Sequence, residues 1–276
     1  TNIKENNIII HDTKGKFRAN LKYHENIISG NDLDISLRNE FMNYWSFDLD
    51  IRMNPKSFDD NDLYRDSRAL VIVDEGWTSY QIGFRTDSRK RLIISPGFDY
   101  NVYSESGVGY NFKIWMSAKP NDKVNFSAYL NRRLRPNFME WVDIYDFEDG
   151  LYDIVYANSE QWQTNINFRL NVTLSPKMTF ESFFHPFYVD MNYLNYNKIL
   201  KEKTNNLEEV YYVNDQSFQI ENYVGTFVFR WEVFSGSFLY VVYNLNNNNY
   251  FENIENSWYR SNSNSFFLKY NYFFRS

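Results

Sequence analysis

The side chains able to move protons near neutral pH are few: His11, His24 and His185, with no cysteine anywhere in the chain. A serine nucleophile needs a base within hydrogen-bond reach. His24 lies near Ser29 and His185 near Ser182, but neither pair sits in a recognisable motif. Both histidines read as hydrogen-bonding groups of a lumen or rim, and no catalytic residue is assigned. Asp59, Asp60, Asp62 and Asp66 supply oxygen ligands of the kind Ca²⁺ takes, yet the glycine and closing glutamate of a calcium loop are absent. That cluster reads as a solvated loop, and no metal or cofactor is expected. What remains is a set of charges of mixed sign at alternate positions: Asp34, Arg38, Glu40, Asp48, Asp50, Arg52, Arg85, Arg91, Asp99, Lys113, Arg169, Arg230, Glu232 and Lys269. On one wall of a lumen they would pair and narrow a pore; a selective channel lining is the sharper alternative.

Such spacing requires strands, because successive side chains of a strand point to opposite faces. The cleanest case runs from Trp162 to Leu174, where Trp162, Ile166, Phe168, Leu170, Val172 and Leu174 alternate with Gln163, Asn165, Asn167, Arg169, Asn171 and Thr173. The C-terminus repeats the pattern, with Phe266, Leu268, Tyr270, Tyr272 and Phe274 opposite Phe267, Lys269, Asn271, Phe273 and Arg275. An aromatic last strand of this kind is how outer-membrane barrels close, by pairing last strand with first.

Alternation begins at Phe17 and gives about twelve strands, an even number as in single-chain bacterial barrels. Residues 1–16 read as a lead-in or partial strand, and 17–276 as an all-β, antiparallel transmembrane β-barrel or a part of a larger one. Segments 135–159, 189–222 and 246–263 lack a clear period and read as long loops, together with 55–76, the first with one small strand near Tyr152 to Tyr156. Pro96, without a ladder donor, predicts a bulge or break in its strand. With the C-terminus periplasmic, the turns at Asn43, Ser88, Pro120, Pro176 and Gly236 fall on one side and the long connections on the other.

Composition agrees with this class. Aromatic residues make up 20% of the 276 residues, with 23 Tyr and 25 Phe, which favours strands. The mean hydropathy of -0.59 is compatible with a barrel whose strands face a polar lumen on one side. No apolar run is long enough for a transmembrane helix. A net charge of -6 argues against nucleic acid as a partner. The expected partners are outer-membrane lipid, the barrel-assembly machinery during insertion, and a small solute or glycan. A soluble half-buried sheet would alternate too, but its strands run to about 5 or 6 residues, shorter than these. The chain opens on Thr1 without a signal peptide, so an exported protein would be a mature or truncated piece.

Several segments carry a family likeness: Leu63-Tyr64-Arg65, Asp87-Ser88-Arg89-Lys90-Arg91 leading to Ser95-Pro96-Gly97, Phe229-Arg230-Trp231-Glu232 before Gly236-Ser237, Leu239-Tyr240-Val241-Val242, and Phe266-Phe267-Leu268-Lys269-Tyr270. In this order, from about residue 30 onward, the chain resembles the C-terminal barrel of an uncharacterised outer-membrane family whose N-terminal part is a family-9-like carbohydrate-binding domain. The resemblance implies a Gram-negative outer-membrane barrel that acts in transport as a pore, or as the anchor of an upstream domain, and it implies no known reaction. Family members follow the Leu-Arg element with Gly-Gly-Pro, where this chain has Asp66-Ser67-Arg68. An autotransporter-like translocator is the alternative, but it should carry a helix before the first strand, and residues 1–16 have no helical period. A lipid or glycan hydrolase at the lumen edge is disfavoured by the histidine count.

Overall fold

A computed structural model describes residues 10–24, 27–59, 68, 70–146, 152–201, 203–212 and 214–274. The elements are all strands: β1 Ile10–His24, β2 Ile27–Phe41, β3 Ser46–Asn54, β4 Ser57–Asp59, β5 Ile72–Asp74, β6 Trp77–Arg85, β7 Leu92–Tyr103, β8 Gly107–Asn121, β9 Val124–Asp146, β10 Tyr152–Ser175, β11 Met178–Ile199, β12 Leu207–Glu209, β13 Phe218–Phe234, β14 Ser237–Glu252, β15 Ser257–Asn262 and β16 Ser265–Asn271. Fourteen of them form one antiparallel sheet in the order β1-β2-β3-β6-β7-β8-β9-β10-β11-β13-β14-β15, with β12 beside β11 and β16 beside β14. β4 and β5 make a separate hairpin. β15 and β16 pair with successive halves of β14, so they act as one edge strand interrupted at Ser263 and Asn264.

Every long strand lies beside its sequence neighbour, the arrangement that short turns between alternating runs produce. The turn at Gly236 uses a positive φ of 79°, which glycine adopts without the Cβ penalty of other residues. Pro96 fits its expected role: the β6–β7 ladder stops at the pair Gly83–Gly97, while the β7–β8 ladder runs through Pro96 without a shift. The proline ring sits where a donor toward β6 is not needed.

The pairing bears on two expectations. Closure of first strand on last is absent among the described residues: β1 pairs β2, and β15 and β16 pair β14, leaving two free edges. The aperiodic segments are mostly strand rather than loop. β9, β10 and β11 have 23, 24 and 22 residues, which carries them through 135–146, 152–159 and 189–199, and β13 and β14 extend likewise into 218–222 and 246–252. The register explains why the period was hidden. The β9–β10 ladder shifts between Val155 and Tyr156 and again between Ser159 and Gln161, and the β10–β11 ladder shifts between Asn158 and Ser159. Each bulge advances one strand by a residue and reverses its parity. Ile154, Val155, Tyr156 and Ala157 are also buried in succession, so neither face there is polar.

The two faces differ. One carries exposed apolar side chains, including Ile82, Phe84, Phe98, Phe112, Phe168 and Leu174. The other, the polar face, carries most of the charges. A small core nonetheless sits on that polar face, where Phe138, Val189 and Met191 pack with Phe187, Tyr193, Phe218 and Ile220.

Candidate functional site

The charged residues gather because the ladder sets them opposite one another. Arg18, Asp34 and Arg52 are direct neighbours across β1, β2 and β3. Arg18 Nε donates to Asp34 Oδ2 at 2.9 Å and Arg52 Nε to Asp34 Oδ1 at 2.7 Å, so one carboxylate serves two guanidiniums. Arg38 and Asp48, also opposite, form an ion pair. On β7 and β8, Lys113 Nζ lies 2.8 Å from Asp99 Oδ1, and Asn111 Nδ2 donates to Asp99 Oδ2 at 2.8 Å. Lys113 reaches Asp99 by lying over Gly97, where a Cβ would stand 2.8 Å from Lys113 Cε. A side chain at position 97 would have to displace Lys113 from this path.

The remaining expected members stay apart. Arg91 Nη1 donates to the Pro120 carbonyl at 2.7 Å, and Glu232 accepts the Gly236 N–H at 2.9 Å. Arg169 stacks over Phe183 at 4.8 Å and Arg230 over Phe238 at 4.3 Å. No hydrogen bond or ion pair joins Glu40, Asp50, Arg85 or Lys269 to another of the described residues, although Asp50 shares a cleft of 320 Å³ with the Arg18–Asp34–Arg52 trio. The charges therefore form separate clusters and not one continuous network.

His185 lies between Phe183 and Phe187, with one ring nitrogen 3.0 Å from Asn165 Oδ1. Ser182, three positions away on the same strand, points to the opposite face and donates to the Leu170 carbonyl at 3.4 Å. The two do not form a base–nucleophile pair. The side chains of His11 and His24 lie outside the described residues, as do Asp60, Asp62, Asp66 and the segment Leu63-Tyr64-Arg65.

A second locus sits at the end of the sheet where the long strands meet their connections, the loop end. Here the β4–β5 hairpin folds over the polar face and encloses a cavity of 440 Å³, whose walls include Asp59, Asp74, Tyr103, Arg133, Arg135 and Phe138. Arg135 stands 3.7 Å above the Phe138 ring. Burial and the nearby Asp59 charge push the Asp74 carboxyl above its ordinary pKa, against the opposing pull of Arg135. Carboxylates tie the connections together. Glu75 accepts the N–H groups of Glu105 and Ser106 at 2.6 and 2.9 Å. Glu105 in turn takes Lys56 at 3.1 Å and Asn205 at 2.7 and 2.6 Å, and the Lys203 N–H donates to the Val71 carbonyl at 3.0 Å. Three connections, after β3, β7 and β11, are thereby knotted into one cap.

Sequence reasoning missed this cap. Its one visible signal is the basic run Arg132-Arg133-Leu134-Arg135 before Pro136, which straddles the start of the segment 135–159 read as loop.

The family model described as a domain of unknown function, DUF5916, matches residues 3–275. The chain belongs to the DUF5916 family. That agrees with the resemblance to an uncharacterised family in the sequence. No curated protein matches this DUF5916 chain. A solved structure described as "NanC porin structure in rhombohedral crystal form" aligns at 11% identity over 79% of this chain and 82% of that one. Its TM-score is 0.24, too low to bear on the DUF5916 fold.

Proposed function

We propose that this DUF5916 chain is an integral outer-membrane β-barrel with a narrowed, charge-lined lumen, acting as a restrictive passage capped at the loop end. One observation carries the membrane reading. Along a single row of direct cross-strand neighbours, the exposed-face residues run Leu37, Leu49, Ile82, Phe98, Phe112, then Arg132, Thr164, Tyr188, Glu221, Asn249, Arg260. The row is apolar to β8 and polar from β9. Strands about 4.8 Å apart and tilted about 45° make such a row climb about 3 Å per strand. Over about ten steps it climbs roughly 30 Å, more than the about 25 Å height of a barrel's apolar band. A row that starts inside that band must leave it, whereas a sheet packed on a soluble core has no reason to change polarity along a row. On β10 the apolar run from Ile166 to Leu174 also matches the about 9 to 11 residues of a tilted crossing.

Closure of β1 on β16 is part of this reading, since unpaired strand edges do not persist in lipid. The resemblance in the sequence adds the option that the barrel also anchors a carbohydrate-binding unit. Ile166→Arg should cost roughly 2 to 4 kcal/mol in a bilayer refolding titration, as a charge at mid-band does. Asn167→Arg, on the opposite face, should cost much less. Equal losses would overturn the assignment of faces and with it the membrane reading.

A further inference from the structure

We infer that the groove between the β2–β3 and β6–β7 turns binds the phosphate headgroup of an anionic phosphoglyceride; this rests on the membrane reading above. The groove has a volume of 500 Å³ and lies where the apolar face ends at the turns. One side is apolar: Trp45 and Leu92 are 46% and 48% exposed, with Ile94 beside them. The other side is cationic. Arg89 grips Asp87 through Nε and Nη2, both at 2.9 Å, and its guanidinium stands 3.2 Å over the Tyr44 ring. That clamp consumes the only carboxylate lining the groove.

Lys90, on the same wall, donates its backbone N–H to the Asp87 carbonyl at 3.1 Å, while its ammonium makes no hydrogen bond or ion pair among the described residues. Arg91 donates only to a neutral carbonyl, that of Pro120, and its own carbonyl accepts the Lys119 N–H at 2.7 Å, which brings another basic residue to the neighbouring strand. A fixed, neutralised arginine thus frames an exposed lysine ammonium beside bare apolar surface. Lys123 and Lys177 occupy the next two turns at this end of the sheet, the first beside Asp122. A ligand with one negative charge next to a hydrocarbon tail satisfies both walls, and Trp45 stands where interfacial tryptophans sit in barrels. An acidic peptide would satisfy the lysine but leave Leu92 and Ile94 uncovered.

The test is native mass spectrometry of the refolded chain released from micelles doped with phosphatidylglycerol, phosphatidylcholine or inorganic phosphate. Phosphatidylglycerol adducts should exceed phosphatidylcholine adducts at least 3-fold, and inorganic phosphate should not be retained. Lys90→Gln should remove most of the excess, Lys90→Arg should keep it, and Lys201→Gln at the loop end should leave it unchanged. Equal adducts of the two lipids, retention by Lys90→Gln, or binding of inorganic phosphate alone would overturn the inference. A chain that fails to insert into micelles refutes the membrane reading itself. One that inserts without discriminating refutes only the headgroup groove.

Discussion

Asp34 is the residue on which most local electrostatics converge, since it alone stands between Arg18 and Arg52. Replacing it with asparagine leaves two guanidiniums facing one another across the strand. Both arginine side chains are 46% exposed, so solvent screens much of the effect, and a loss of about 1 kcal/mol is expected. Pairing Asp34→Asn with Arg52→Gln should show coupling of about 0.5 kcal/mol or more in a double-mutant cycle of refolding stability. Strict additivity would mean that the trio is only juxtaposed. Alternation in the sequence put Asp34 and Arg52 on one face but could not say that they touch. Parity reports a face, whereas contact depends on register, and register is set by turn length. Arg18 alternates with Phe17 and Ala19 in the same way, and its bond to Asp34 is likewise a matter of register.

The elements of the cap make a sharper case about what a sequence shows. Strands β3, β6 and β7 were readable because their ladders run without a register shift, and β8 because its shift comes only after Ala118, beside the turn. The loop-end halves of β9, β10 and β11 were not, because bulges reverse parity and both faces of β10 are buried there. The cap itself joins distant connections through Glu75, Glu105 and Asn205, none of which belongs to a local pattern. Its pH response follows from Asp74. An acid whose pKa is raised on folding binds protons more tightly in the folded state, so stability falls as pH rises from the ordinary carboxylate range through the raised value. Above that value the whole penalty is present. Hydrogen exchange of the β4–β5 hairpin should therefore slow as pH is lowered from 7.5 into the raised range of Asp74, after correction for intrinsic exchange. Asp74→Asn should abolish this pH dependence, and an unchanged dependence in that variant would assign it to another group.

At the scale of the whole molecule, paired charges and a knotted cap predict a poor conductor. Planar-bilayer recordings should show small or no steady current, and Arg38→Gln should raise it by releasing Asp48 from its pair. A large steady current in the unmodified chain would instead favour an open porin. The all-β, antiparallel class was legible from the sequence because about a dozen strands repeat one simple alternation; the aromatic last strand pointed to closure, but β1 and β16 are not paired with one another among the described residues. The meander order has a kinetic meaning as well. Every long strand pairs with its sequence neighbour, so growth can proceed hairpin by hairpin with short loops to close, the regime in which chains fold fast. In the proposed barrel, joining β1 to β16 would be different in kind, since it would close a loop of nearly the whole chain against an entropy that grows with loop length. Folding should therefore stall last at an open, two-edged sheet, and the lifetime of that species sets how long a stray strand has to add itself to the seam.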